Sequence, residues 1–262
     1  MSRSCKARIG AAYCSRELGV FRVTQSGSIV SRSDAMYRST HRRPNRESKL
    51  MPSARALIVP VTPFQQNCTL LWCEATKHAV VIDPGGDLPI IEQAIARTEV
   101  MVTQIWLTHG HVDHAAGAAT LKERLGVPIE GPHRGDLFLL ESLADTGRGF
   151  GIEDARDVIP DRWLDEGDQV AIGEVVLKIL HVPGHSPGSV AFFNAAQRFA
   201  VVGDALFQGS IGRTDLPGGD HARLISSIKE KLLPLGDDVA FICGHGPGST
   251  MAVERVSNPF LR

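Results

Sequence analysis

Residues 109 to 114 read His109-Gly110-His111-Val112-Asp113-His114, three imidazoles and one carboxylate in a single short run. They follow the apolar stretch Ile105-Trp106-Leu107, where a buried strand is expected to end. Histidines spaced i, i+2 do not share a helical face as the pair in H-E-x-x-H does, so a turn must converge them. Imidazoles this close repel when protonated, and folding requires none of them. The alternative is a surface histidine patch, or a helix start with Asp113 as an ordinary first-turn acid. Three more residues share one context: His185 in Pro183-Gly184-His185-Ser186-Pro187-Gly188, Asp204 in Val202-Gly203-Asp204, and His245 in Cys243-Gly244-His245-Gly246-Pro247. Each follows an apolar run and neighbours glycine, which lets the backbone turn tightly. Together these are enough ligands for two metal ions. Imidazole and carboxylate without thiolate suit Zn, Fe or Mn.

The elements that must hold these residues alternate along the chain. Hydrophobic patterning predicts strands at 56–61, 69–73, 79–82, 102–107, 127–129, 175–180, 189–193, 199–202 and 239–243, and helices at 88–97, 115–125 and 221–232. Gly147, Gly149 and Gly151 predict a mobile loop within 131–165. Asp83-Pro84-Gly85-Gly86-Asp87 predicts a turn packed beneath the metal residues, and its two carboxylates speak against a phosphate loop. Cys68, Cys73 and Cys243 lie in apolar runs and read as small core residues. His78, His133, His181 and His221 lack the ligand context; His181 is the one placed to support His185. The pattern is one domain of α/β (α+β) class without a fixed-period repeat.

Composition narrows the class. The chain has 262 residues, 43% hydrophobic and 22% charged, with a net charge of −1, which excludes a disordered chain or a coiled-coil rod. No apolar run is long enough to nominate a spanning helix, so no membrane role is expected. Five scattered cysteines fit a reducing compartment, and a cytoplasmic location is expected. Residues 1–50 hold 11 basic and 3 acidic residues, against 17 and 26 in residues 51–262. That first segment reads as a disordered basic leader or a start placed too early, with Met51 the expected beginning of the domain; organelle targeting is the alternative. The acidic body argues against nucleic acid.

The ordered set His109-Gly110-His111-Val112-Asp113-His114, His185, Asp204 and His245 resembles the motif set of the metallo-β-lactamase superfamily. Within it the chain is most similar to single-domain glyoxalase II-like hydrolases. Phe64-Gln65-Gln66-Asn67-Cys68, Gly212-Arg213-Thr214-Asp215 and Asn258-Pro259-Phe260 support the match, which runs over about residues 55 to 262. The resemblance implies an αββα four-layer sandwich. It assigns His109, His111 and His185 to one metal and Asp113, His114 and His245 to a second, with Asp204 bridging. Asp113 and Asp204 thus become the carboxylates of the reacting centre.

Two divalent ions of this kind, Zn with Fe or Mn as alternatives, provide a shared hydroxide at neutral pH without a Ser or Cys nucleophile. The implied substrate is a small-molecule thioester of a 2-hydroxy acid such as S-lactoylglutathione. Two-domain relatives carry a helical segment that grips glutathione, and here only 17 residues follow His245, so the thiol carrier is less specified than the thioester. Phe207, Arg213 and Asp215 are expected to line the substrate groove, or else to form a loop tied by an Arg–Asp pair. The rival within the fold is a persulfide dioxygenase, with one iron on His109, His185 and Asp204.

Overall fold

The computed structural model describes residues 20–23, 29–30, 52–152 and 155–262. The remainder of the basic leader, with its expected disorder or later start, lies outside the described residues. Strands β1 (Val20–Val23), β2 (Ile29–Val30), β3 (Ala54–Val61), β4 (Gln66–Cys73), β5 (His78–Ile82), β6 (Met101–Trp106) and β7 (Ile129–Glu130) form one sheet, ordered β2-β1-β3-β4-β5-β6-β7. The second sheet takes β8 (Gln169–Ile172), β9 (Val175–His181), β10 (Val190–Asn194) and β11 (Phe199–Val201). After a small hairpin of β12 (Leu206–Phe207) and β13 (Ser210–Ile211), β14 (Ala240–Ile242) and β15 (Ser249–Thr250) complete it in the order β15-β14-β11-β10-β9-β8.

Strand parity explains the layering. Along β4 every residue is buried. Leu70 and Trp72 face a core shared with helix α1 (Leu88–Thr98), while Leu71 and Cys73 face the opposing sheet. Between the sheets Trp106 stacks on Phe192, with ring centroids 5.0 Å apart. On the far side Ala191 and Phe193 of β10 pack toward Leu224 of the helix at His221–Ser227. The resulting order is helix, sheet, sheet, helix, as expected from the resemblance.

The predicted helix at 115–125 is two helices, α2 (Val112–Ala115) and α3 (Ala118–Leu125). The break falls where Gly117 N–H donates to the Pro84 carbonyl at 3.0 Å, tying the helix start to the Asp83–Asp87 turn. The stretch read as a mobile loop contains α4 (Leu137–Leu140) and α5 (Leu143–Phe150), because Leu140, Leu143, Ile152 and Val158 bury themselves in the first core. Helix α6 (His221–Ser227), capped by Asp220 accepting from Arg223 N–H, runs into a π turn at Ile228–Leu232. Strand β8 and the final helix α7 (Met251–Ser257) are additions to the sequence reading. Cys68, Cys73 and Cys243 are buried free thiols, as read. Among the described residues no helix is long and apolar enough to cross a membrane.

Candidate metal centre

Five strand ends open on one edge of the sandwich. Asp83 ends β5, residues 109–114 follow β6, His185 lies between β9 and β10, Asp204 follows β11 and His245 follows β14. All seven residues expected as ligands meet there. His111 Nδ1 lies 2.8 Å from His185 Nε2, which in turn lies 3.2 Å from His109 Nε2. On the other side His245 Nε2 is 3.2 Å and His114 Nε2 is 3.8 Å from Asp113 Oδ2. Asp204 stands between the groups: its Oδ1 is 3.3 Å from His114 Nε2, and its Oδ2 is 3.5 Å from His245 Nε2 and 3.7 Å from His185 Nε2. The ligand atoms of His109, His111 and His185 lie within 4.8 Å of one another, as do those of Asp113, His114 and His245.

The rings are aimed from behind. His185 Nδ1 contacts the Arg213 carbonyl at 2.8 Å and His245 Nδ1 the Phe64 carbonyl at 3.3 Å, leaving each Nε2 to the cluster. His114 Nδ1 lies 2.9 Å from Asp83 Oδ2. Asp83 sits at φ 54, a left-handed turn out of β5, and its carboxylate also accepts from Thr108 N–H at 2.7 Å and Thr108 Oγ1 at 2.6 Å. The sequence reading had this residue only as part of a turn. Its signal was available: an apolar strand followed by Asp and Gly is also the context of Asp204.

Two buried atoms test whether a cation suits this arrangement. His114 Nε2 and Asp204 Oδ1 are close yet neither makes a hydrogen bond, and both point inward. Imidazole nitrogens and carboxylate oxygens that converge on one small volume, two of them buried without a partner, fit divalent ions. Electrostatics agree for His109 and His111. Burial, then the neighbouring His114, His185 and His111, hold His109 well below the ordinary imidazole value, and burial with His185 brings His111 to about 3. These rings are therefore neutral donors at pH 7. Burial acts to raise Asp204, but His114, His185 and His245 outweigh it and keep it ionised. Burial likewise opposes charge on His114, and the carboxylates of Asp204 and Asp113 reverse that and raise it.

Asp136 braces the two histidine loops. It is fully buried, and its carboxylate accepts from Gly110 N–H at 2.8 Å, Ser186 Oγ at 2.7 Å and Gly188 N–H at 2.5 Å. Nothing in the sequence marked it. His181, by contrast, reaches the Pro187 carbonyl at 2.8 Å and supports the same loop. Asp136→Asn keeps one acceptor oxygen for three donors. It is expected to lower stability by about 1–3 kcal/mol and weaken metal binding about 10- to 100-fold. Denaturant titration and metal competition with a chelator measure the two effects separately.

A cleft of about 640 Å³ opens beside the cluster. Phe207 and Arg213 line it, whereas Asp215 does not. Instead Asp215 grips the Arg213 guanidinium at 2.7 and 2.8 Å, the Arg–Asp pair that the loop alternative anticipated. The Phe207 hairpin is held from the last helix: the buried Glu254 accepts from Gly209 N–H at 2.8 Å, and Asn258 Nδ2 donates to the Ser210 carbonyl at 3.0 Å.

This edge, with its histidines and aspartates on a two-sheet sandwich, defines a metallohydrolase. Residues 61–245 match the family model of the metallo-beta-lactamase superfamily. A hydroxyacylglutathione hydrolase, GloC, of Haemophilus influenzae is 46% identical over 205 residues, covering 78% of this chain and 96% of its own. The crystal structure of the BLEG-1 B3 metallo-beta-lactamase superposes with a TM-score of 0.71 at 35% identity, over 79% of this chain and 99% of that one. TTHA1623, solved in a di-iron-bound form, gives a TM-score of 0.70 at 38% identity, over 78% and 99%. The chain belongs to the metallo-β-lactamase superfamily, as a hydrolase.

Proposed function

We propose that the protein is a metal-dependent thioester hydrolase of the glyoxalase II type, acting on S-lactoylglutathione or a related 2-hydroxyacyl thioester. The observation that carries this reading is the cleft's chemistry. Among the described residues lining it, only Arg213 ionises apart from the candidate ligands, and Asp215 holds its guanidinium. No carboxylic acid, phenol, thiol or ammonium stands ready to protonate a departing group. A thiolate, whose conjugate acid has a pKa of about 8.5, leaves without such help, unlike an amine. The identity to a hydroxyacylglutathione hydrolase supports the same reaction.

His109, His111 and His185 would hold one ion and Asp113, His114 and His245 a second, with Asp204 shared. Bound there, divalent ions such as Zn, Fe or Mn supply Lewis acidity toward a carbonyl oxygen and a hydroxide nucleophile at neutral pH. The chain's own part is orientation and charge. Burial works to raise Asp113, but His114 and the hydrogen bond from His245 bring it below the usual carboxylate value, so it stays ionised and can accept a proton-bearing group. Phe64, Phe138 and Phe150 give the cleft beside the reacting edge an apolar lining. The reading takes residues 51–262 as the catalytic domain and a reducing cytoplasm as its setting, in keeping with the three buried free thiols.

Hydrolysis of S-lactoylglutathione against other thioesters, with metal assayed on the same sample, tests the proposal. Turnover with two metal equivalents, lost on chelation, is expected. One iron with oxygen uptake would overturn it in favour of a persulfide dioxygenase, and full activity after exhaustive chelation would overturn any metal mechanism. Arg213→Ala is expected to raise KM about threefold and change kcat less, because its stem packs at the cleft while its charge is engaged elsewhere. Steady-state kinetics on the best thioester measures the split.

A further inference from the structure

We propose that the cleft beside the metal residues selects thioesters bearing a large apolar group, a ring or a butyl-sized chain, over those whose substituents are small or charged. This rests on the thioesterase reading above. Phe64, Phe138 and Phe150 are 41%, 44% and 52% exposed, yet all three line the same cleft. Single exposed apolar residues are ordinary, whereas rings converging on one concavity mark a binding surface. Phe64 and Phe150 meet edge to face with centroids 5.2 Å apart. The carbonyl of Phe64 contacts His245 Nδ1 at 3.3 Å, so this wall adjoins the candidate ligands directly. Phe138 forms part of another wall, against Gly218. The Phe207 ring centroid lies 6.2 Å from that of His245.

Charge points the same way. A glutathione moiety carries two carboxylates and an ammonium. Apart from the candidate ligands and the ions they would hold, the one charged side chain lining the cleft among the described residues is Arg213, already paired with both carboxylate oxygens of Asp215. A glutathione carboxylate drawn against the aromatic walls would lose water without gaining a charged partner there. A phenyl or butyl group would lose water and gain three ring faces and edges. The apolar group can belong to the acyl half or to the thiol half of the substrate; the chemistry of the cleft is the same for both.

The metal-loaded enzyme is assayed on three thioesters. S-mandeloylglutathione differs from S-lactoylglutathione only by phenyl for methyl, and the lactoyl thioester of butanethiol differs from it only in the thiol. An advantage in kcat/KM of about tenfold or more over S-lactoylglutathione is expected for at least one of them, and the one that shows it identifies the half that the cleft holds. Phe64→Ala and Phe138→Ala are each expected to shrink that advantage to about twofold or less, through a raised KM for the apolar substrate. Cleavage of all three without an advantage, or an advantage that survives both substitutions, overturns the inference and leaves the thioesterase reading intact. Cleavage of none overturns that reading and this inference with it.

Discussion

Asp204→Ala is expected to abolish turnover and strip the protein of metal. Its two oxygens lie 3.3 to 3.7 Å from His114, His185 and His245, between the two histidine groups. Alanine leaves the two histidine groups without a shared anion, and three imidazoles around a cation lose the negative charge that offsets it. Metal-assisted stabilisation amounts to several kcal/mol, so kcat should fall about a thousandfold or more. Metal content, read by plasma emission on the dialysed protein, should drop below one equivalent. Full activity in this variant would end the dinuclear proposal.

Gly244→Ala is expected to do nearly as much damage from a residue that ligates nothing. A Cβ there would lie 1.9 Å from Asp204 Oδ1 and 2.5 Å from His114 Cε1. Both neighbours are candidate ligands in a packed edge, so one must move. The backbone itself allows alanine, since Gly244 is not among the residues at positive φ. Overpacking of this kind costs about 1–3 kcal/mol in stability, and displacement of Asp204 should cost activity about a hundredfold or more. Gly246→Ala supplies the control. Gly246 has φ +69 with nothing within 4 Å, so alanine there strains the chain by about 1–2 kcal/mol without reaching the cluster. Metal content should fall in the first variant and hold in the second; equal loss in both would mean that backbone strain, not the clash, is responsible.

Much of this edge was legible because clustered histidines cannot hide. Histidines at 109, 111 and 114 have no structural reason to be so close, and His185, Asp204 and His245 repeat one context of apolar run plus glycine. The strands were legible through burial where their residues are apolar: β4 is covered on both faces, and Leu70–Cys73 shows it, whereas its polar start at Gln66 and Asn67 fell outside the predicted 69–73. The helices around residues 137–150 were not. At four and eight residues, α4 and α5 are too short to show a period, and their glycines look like breakers although Gly147 is buried within α5. Asp136 was missed as a positioning group because a lone acid ahead of a four-residue helix carries no pattern, and Asp83 because its strand-end context was read only as a turn. Their importance lies in what they accept from, Thr108 in one case and Gly110 with Gly188 in the other, and those donors are far away in sequence.

Asp136 and Phe138 are two residues apart, across the start of α4. The first fastens both histidine loops, and the second forms part of the cleft wall. One short stretch of chain therefore carries both the clasp on residues 110 and 188 and a ring of the cleft wall. Substitutions that reshape the wall at 138 are accordingly expected to be felt at the reactive edge as well, to be read as a loss of metal affinity beside any change in the preferred guest.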